Sequence, residues 1–345
     1  MKKLLILALT ACLLVSCLCA AGAEGTRAFV DSTGRTVELP ETFERIAVSG
    51  PLAQIVVFAL APDMLVGIAT DWSAEAEQYL PTEYYSLPVL GQMYGTKGAL
   101  NLEELLAADP QVVIDVGEPK AGIGEDLDAL TEQTGIPFVH VTAMLSALDE
   151  TYVKLGELVG REEEAAVLAA YCRRVYDRAV DIAQSVEKAD LLYITGPEGL
   201  NVIARDSYHS EVIDLMGNNV ALVESPSSKG TGNEVDMEQL LAWDPATILF
   251  APDSIYDTVA QDETWQNMQA IASGHYSEVP EGPDNWMGFP PSAQRLLGLL
   301  WMPKVLYPEA ADYDLYAEVA QYYQLFYHCE LTQEQFDALV AHSNL

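Results

Sequence analysis

Two glutamates in similar sequence contexts, Glu103 and Glu238, are the first candidates for chemistry in this chain. A pair of carboxylates can supply the general acid and the general base of a hydrolase when both side chains face one pocket. An acidic residue in the first turn of a helix can also simply meet the positive end of the helix dipole. A third use is symmetric docking onto a partner with two-fold symmetry. The sequence pattern alone leaves these three interpretations open.

The sequence contains none of the common catalytic motifs beside this pair. We find no GxSxG, no HExxH, no phosphate-binding GxxxxGK[ST] and no glycine-rich dinucleotide fingerprint after a strand. A duplicated acid also suits symmetric docking better than it suits the unlike roles of an acid and a base. We therefore predict a protein that is not an enzyme, and we keep a hydrolase that uses Glu103 and Glu238 as the alternative.

The elements that position the two glutamates form an internal repeat. Residues 101–116 read NLEELLAADPQVVIDV, and residues 236–251 read DMEQLLAWDPATILFA. Each copy begins at a good N-cap residue, Asn101 or Asp236, and continues as a short predicted helix that stops at Asp-Pro. An apolar run typical of a buried parallel strand follows. The copies lie too far apart for a solenoid, and their separation fits two similar lobes.

Strand-like and helix-like segments alternate on both sides of one long helical pattern, at residues 149–188, which is interrupted only around Gly160. This order predicts an α/β fold in which two similar lobes, with mainly parallel sheets flanked by helices, are joined by one long backbone helix. In the first half we expect strands at 45–48, 65–69 and 138–141 and helices at 52–60 and 125–134. The expected units are a signal peptide at 1–23, an N-terminal lobe at 24–150, the linking helix at 151–188 and a C-terminal lobe at 189–345.

The first residues are typical of an export signal. Lys2 and Lys3 precede an apolar run that is too short for a comfortable membrane span, which needs roughly 20 residues. The run ends in Leu-Val-Ser-Cys, which resembles the lipobox of bacterial lipoproteins, so we predict lipidation at Cys17. Ordinary signal cleavage after Ala23 is the alternative. We expect an exported protein that a lipid anchor holds on the outer face of the cell membrane, in the periplasm if the cell has an outer membrane.

The charge balance of the chain is strongly acidic. It has 17 basic and 52 acidic residues, which give a formal net charge of −35. Such a surface repels nucleic acids and anionic lipid head groups, so we expect no nucleic-acid partner. Basic side chains are scarce in this chain, and Arg205 and Lys229 are therefore candidates for contact with an anionic ligand.

The sequence resembles the substrate-binding components of ABC importers for iron–siderophore, haem, cobalamin and related metal complexes. The likeness rests on DSTGRTVELPETFERI, on both helix–strand copies and on TWQNMQAIASGHYSEVP, and it covers nearly the whole mature chain. It implies a ligand in the cleft between the lobes, with little hinge closure. It also implies that Glu103 and Glu238 form salt bridges with arginines of a dimeric permease. We expect a monomer without an intrinsic cofactor and without a metal site of its own.

Ligands of open α/β sheets bind beyond the carboxyl ends of the strands, which nominates loop residues of both lobes. The nominated residues are Ser49, Gly50, Pro51, Asp71, Trp72, Tyr94, Glu118 and Lys120 in the first lobe, and Arg205, Tyr208, His209, Lys229 and Trp286 in the second. Tyrosine and histidine can ligate haem or iron, and tryptophan can stack on a planar ligand. Each residue type also has an ordinary alternative: an exposed helix turn for Tyr208 and His209, surface ion pairs for the cations and the core for the tryptophans.

The ligand expected first is a metal complex of the siderophore, haem or cobalamin type. A bare oxyanion such as molybdate or tungstate is the alternative. The segment GPDNWMGFPPSAQRLLGLLWMPKVLYPE keeps that alternative open, because it is similar to segments of relatives whose ligands are not siderophores.

Overall fold

A computed structural model describes residues 25–94 and 99–345. The predicted signal peptide and its Cys17 lie outside the described residues. The described chain opens with an antiparallel hairpin of β1 (Thr26–Val30) and β2 (Thr36–Pro40), which turns at Gly34. Gly34 has a φ of 83°, a left-handed conformation that glycine adopts without strain.

The first lobe is built on a three-stranded parallel sheet in the order β3-β4-β5. The central strand reads VVIDVG and is buried on both faces, as expected for a parallel strand covered by helices. The bounds are β3 (Ile46–Val48), α1 (Pro51–Leu60), α2 (Leu102–Ala108), β4 (Val112–Gly117), α3 (Ile123–Thr134) and β5 (Phe138–Thr142).

The strand predicted at residues 65–69 is not a strand in the structure. Leu65 makes an isolated bridge to Ile46, and Ile68 makes another to Val89. Because the two ends of the segment pair with different neighbours, no continuous ladder forms along it.

The long helical region consists of two helices, α4 (Leu148–Val159) and α5 (Glu162–Ser185). Gly160, with a φ of 72°, ends α4 in the left-handed conformation, so the chain reverses there before α5 begins. The two helices pack against each other, and the 24 residues of α5 lead from the first lobe to the second. The predicted linking segment of residues 151–188 therefore begins inside α4. Within residues 25–94 and 99–345, no helix combines the length and the apolar character that crossing a bilayer requires.

The second lobe is built on a mixed sheet in the order β11-β10-β6-β7-β9, with β8 also paired to β6. Strands β8, β10 and β11 extend the sheet in the same direction as β6. At one edge, β7 pairs antiparallel with β6, and β9 pairs antiparallel with β7. The bounds are β6 (Asp190–Thr195), β7 (Asn201–Val202), α6 (Glu211–Met216), β8 (Asn218–Asn219), β9 (Asn233–Glu234), α7 (Met237–Trp243), β10 (Thr247–Phe250), α8 (Tyr256–Val259), α9 (Gln269–Ser273) and β11 (Tyr276–Glu278).

The C-terminal helices cross back onto the first lobe. They are α10 (Arg295–Leu306), α11 (Leu315–Tyr322), a π-helical turn (Tyr323–Tyr327) and α12 (Gln333–Leu339). The ring of Tyr323 lies 5.3 Å from that of Tyr79, and the ring of Phe326 lies 5.7 Å from that of Tyr152. One hydrophobic core therefore includes the hairpin, α1, α4, α5 and these helices. The span predicted as the C-terminal lobe, residues 189–345, thus contains a segment that packs on the first lobe.

Candidate functional site

The loops after the strands of the two lobes meet and form a cleft. The Tyr208 hydroxyl donates to the carbonyl oxygen of Ala143, just after β5, at 2.5 Å. The Ser292 hydroxyl donates across the same boundary to the carbonyl oxygen of Leu52, just after β3, at 3.2 Å. Both first-lobe residues lie at the carboxyl edge of their sheet, where ligands of α/β folds bind.

A buried ion pair lies where the two lobes touch. Arg295 is fully buried, forms a salt bridge with Glu211 through Nη1 and lies 4.9 Å over the ring of Tyr208. The Glu211 carboxylate also accepts a hydrogen bond from the backbone N–H of Leu145 in the first lobe, at 3.3 Å. The Arg295 Nη2 group has no hydrogen-bond partner within the described part of the chain. Arg295 was not nominated from the sequence, although a lone arginine in the apolar run RLLGLLWM was a usable signal.

A partly open cavity of about 110 Å³ lies on the second-lobe side of the cleft. It lies at the carboxyl ends of β6 and β10, where Thr195 and Ala251 line it. Two exposed acids, Asp253 and Glu281, also line it, and so does Phe289, whose ring is 46 % exposed. The remaining lining residues are Tyr193, Ile203, His209, Gly230, Thr231, Pro252, Asn285, Met287 and Gly288. Phe289 was missed in the sequence because nothing local distinguishes an exposed cleft phenylalanine from a core one.

His209 is a wall residue of this cavity and is buried, so it is not on an exposed helix turn. Its Nδ1 lies 3.1 Å from the Gly288 carbonyl oxygen and its Nε2 lies 3.3 Å from the Ser228 carbonyl oxygen. Burial lowers the pKa of His209, which favours the neutral imidazole. A neutral ring has one N–H, so only one of the two carbonyls receives a hydrogen bond and the other nitrogen keeps a lone pair.

The first-lobe wall brings together three nominated residues. The Lys120 ammonium lies 4.7 Å over the ring of Tyr94 and 4.0 Å from a carboxylate oxygen of Glu118. Burial, followed by the charges of Asp115 and Asp126, raises the pKa of Tyr94 to about 12. The charge of Lys120 contributes to the lowered pKa of His209, so the two walls interact electrostatically. Lys120 also lines a second, more open cavity of about 400 Å³ on the first lobe.

A buried polar network secures the first-lobe edge. The hydroxyl of Ser49 donates to Asp115, whose other carboxylate oxygen lies 2.6 Å from Nδ1 of His140. Because the aspartate lies between the serine and the histidine, the histidine cannot activate the serine as in a catalytic triad. Ser49 and His140 therefore hold β3, β4 and β5 in register at the cleft edge.

Of the nominated residues, His209 alone lines the second-lobe cavity, and Lys120 alone lines the first-lobe cavity. Trp286 is fully buried and cannot stack on a ligand, and Trp72 packs at 5.4 Å on Phe58. Arg205 binds the side-chain oxygen of Asn218, which pairs with the first residue of β6, at the end of the sheet away from the cleft. Lys229 is exposed and adjoins the cavity only through the next residue, Gly230. The structure places the remaining nominees in loops or at a helix start: Gly50 caps α1, Pro51 is its first residue and Asp71 is exposed.

Glu103 and Glu238 are both exposed in the first turns of α2 and α7. The N-caps form as expected: Asn101 accepts from the Glu103 N–H at 3.1 Å, and Asp236 accepts from the Gln239 N–H at 2.8 Å. Neither glutamate lines either of the two cavities described above.

Comparison with known proteins identifies the family. Residues 56–282 match the profile described as "Periplasmic binding protein". The chain belongs to this family. A solute-binding protein of an ABC transporter from Sulfurospirillum deleyianum is 29% identical over 91% of this chain and 99% of its own, with a TM-score of 0.83. The molybdate periplasmic binding protein MolA of Haemophilus influenzae is 21% identical over 89% and 99%, with a TM-score of 0.70. The CeuE nickel–histidine complex of Helicobacter pylori is 16% identical over 92% and 99%, with a TM-score of 0.69.

Among curated proteins no sequence matches the chain. The family and its structural relatives are solute-binding proteins without intrinsic cofactors, which deliver ligands to ABC permeases outside the cytoplasm. The hydrolase alternative is therefore wrong. Its physical requirement also fails, since Glu103 and Glu238 stand on separate exposed helices and share no pocket.

The loop at residues 281–289 forms one wall of the second-lobe cavity of this binding protein. Asp284 is half-buried there and accepts a hydrogen bond from the Tyr327 hydroxyl at 3.4 Å. Burial raises the pKa of Asp284 to about 7, the Tyr327 hydroxyl opposes this shift, and the charge of Glu281 adds to it. The folded protein therefore holds a proton on Asp284 at pH values where the unfolded chain has released it.

We expect this carboxyl group to make the stability fall as pH rises from about 4 to about 7, because its folded pKa lies above its unfolded value. Replacing Asp284 by Asn should raise the free energy of unfolding at pH 8 by at most about 4 kcal/mol, because the pKa shift is about three units, and change it little at pH 4. Urea denaturation of both proteins across this range measures the difference. Asp257→Asn, at an exposed position in α8, is the control and should follow the unmodified protein. Parallel profiles for the protein and Asp284→Asn would contradict the assignment.

Proposed function

We propose that this binding protein captures a metal complex, of the siderophore, haem or cobalamin type, in the cleft between its lobes. The observation that carries this proposal is the composition of the second-lobe cavity. Asp253 and Glu281 bring negative charge to it, and Phe289 offers a half-exposed aromatic ring. A metal complex combines a cationic centre with a partly apolar periphery, whereas a bare oxyanion would be repelled by the two carboxylates.

The charge state of the buried Arg295 also favours a metal complex over a bare oxyanion. Arg295 is neutralised by its salt bridge with Glu211 and contributes little net attraction for an anion. His209 lies in the cavity wall, and burial lowers its pKa and so favours the uncharged imidazole, which adds no positive charge for an anion. The Helicobacter pylori relative, solved as a nickel–histidine complex, is compatible with this ligand class. Its identity with this chain is low, so the proposal rests on the cavity.

A bare oxyanion is the second candidate, and one observation favours it. The Nη2 group of Arg295 has no hydrogen-bond partner among residues 25–94 and 99–345, and an oxyanion that reached this buried group would accept from it. Lys120 adds a second cation across the cleft. The Haemophilus influenzae relative, a molybdate-binding protein, has the same fold.

We also propose that Cys17 carries the lipid anchor and that Glu103 and Glu238 dock on the permease dimer. Their exposure and their equivalent positions in the two lobes support this role. Surface charges of this kind guide orientation and association rate more than they add affinity.

Isothermal titration of a soluble chain that begins at Gly25 tests the ligand class. The panel comprises ferric siderophores, haem, cobalamin, molybdate and tungstate, and thermal shift gives an independent readout because a bound ligand stabilises the folded state. We expect binding of at least one metal complex. Phe289→Ala should weaken it roughly tenfold because the aromatic contact is lost. The control Leu222→Ala, at a side chain that is 62 % exposed, should not change it. Binding of molybdate or tungstate alone would reject the metal complex in favour of the second candidate.

A further inference from the structure

Each proposed docking glutamate has a leucine beside it on the same helix. Leu106 follows Glu103 by three positions in α2, and Leu241 follows Glu238 by three positions in α7. Residues three apart are neighbours on a helix surface. Leu106 is 51% exposed, and Leu241 is half-buried. An acid and an accessible apolar side chain therefore lie next to each other twice in this molecule, once in each lobe.

In each helix, the residue just before Leu106 or Leu241 is a fully buried leucine. Leu105 in α2 and Leu240 in α7 are both fully buried and hold the helices against their sheets. Successive residues of a helix are about 100° apart, so the next residue in each copy is rotated out of that contact. Leu106 is exposed, whereas Leu241 is partly exposed and keeps one side against the core of the second lobe. Both helices also end in the same manner, at an aspartate in the left-handed conformation, with φ of 50° at Asp109 and 34° at Asp244. The two leucines thus occupy equivalent positions in similar helices, and Leu106 is the more exposed of the two.

We infer that Leu106 and Leu241 are apolar contacts to the permease dimer, beside the ionic contacts of Glu103 and Glu238. This inference rests on the docking role proposed for the glutamates. A single exposed leucine needs no explanation. Here the leucine recurs at the equivalent position of the second lobe with its acid, which matches a partner made of two copies of one subunit. The surface that fits each patch has a basic side chain next to an apolar depression.

The two kinds of contact have different physical properties. Exposed ion pairs contribute little affinity and are screened by salt, with a Debye length of about 10 Å at 0.1 M ionic strength. Removal of an apolar side chain from water is almost insensitive to moderate salt and scales with the buried area. The leucines therefore supply salt-resistant affinity, whereas the glutamates supply orientation.

Binding of the soluble chain to its ABC permease in lipid nanodiscs tests this inference without any transported ligand. Biolayer interferometry is performed at low and at high salt on Leu106→Gln, Leu241→Gln and the double variant. We expect each single change to raise the Kd roughly five- to tenfold at both salt concentrations. Glu103→Gln should weaken binding mainly at low salt. The matched control is Val167→Gln, because Val167 is 54% exposed on α5, outside both patches.

Three results would overturn the inference. If the leucine variants bind like the unmodified protein while the glutamate variants bind weakly, the docking role stands and the apolar contact is absent. If the leucine variants lose binding to protein-free nanodiscs to the same extent, the leucines contact lipid and not the permease. Unchanged binding in both leucine and glutamate variants would reject the docking role itself together with the inference.

Discussion

Replacing Arg295 by Met is expected to lower the free energy of unfolding by about 3 to 5 kcal/mol. The arginine is fully buried, and Glu211, its partner, is mostly buried. Removal of the cation leaves the Glu211 carboxylate charged in a poorly solvated site, with the N–H of Leu145 as its remaining partner in the network. Urea denaturation at pH 7, analysed by linear extrapolation, measures the loss.

A double-mutant cycle separates the ion pair from the packing of the arginine side chain. Glu211→Gln alone should also destabilise the protein, because Arg295 then keeps a buried charge without a counter-ion. The double variant Arg295→Met, Glu211→Gln should lose less than the sum of the two single losses. Arg205→Met is the matched control, since Arg205 binds only a neutral side chain at the opposite end of the sheet. If Arg295→Met lowered the free energy of unfolding by less than about 1 kcal/mol, or if the two single losses added up to that of the double variant, the ion pair would not stabilise the fold as proposed.

The same pair connects stability with the shape of the cleft. Glu211 and Tyr208 hold the backbone that follows β5, while Arg295 packs beneath the Gly288 segment that lines the cavity. The C-terminal helices add a continuous aromatic contact between the lobes. Movement of one lobe would therefore break buried polar and apolar contacts together. This arrangement agrees with the small hinge closure that the family resemblance implied.

Local sequence signals were sufficient for the elements on which the glutamates stand. Asn101 and Asp236 formed the expected N-caps, and the Asp-Pro pairs ended α2 and α7. The apolar runs after them became parallel strands. These features depend on neighbours a few residues away, so their patterns are visible in the sequence.

The cavity wall could not be predicted in the same way. His209 comes together with Glu281 and Phe289 only because the segment after β7 and the loop after β11 converge in space. Trp286 carries the residue type expected of a ligand contact, but its position on the loop directs it into the core. Exposure at such positions is decided by tertiary packing, and no spacing rule reports it. The crossing of the C-terminal helices onto the first lobe has the same cause.

Replacing both Glu103 and Glu238 by Ala is expected to abolish uptake while leaving ligand affinity unchanged. Both side chains are exposed and remote from the described cavities, so their removal changes neither the cleft nor the core. The two glutamates orient the binding protein on the permease and speed its association, so without both charges the productive docked geometry is rarely reached. Uptake by cells that produce the variant, together with titration of the purified protein, measures the two quantities separately.

The neighbouring positions provide a matched control for this experiment. Glu104 and Gln239 lie one residue further along the same helices and are equally exposed, but the acid is not duplicated there. The double variant Glu104→Ala, Gln239→Ala should therefore transport normally if the duplication marks the permease contact. If it lost transport as fully as the glutamate pair, the general negative charge of the helix starts would be responsible. Full transport by Glu103→Ala, Glu238→Ala would reject docking through these residues. The symmetric repeat would then reflect only the shared fold of the two lobes.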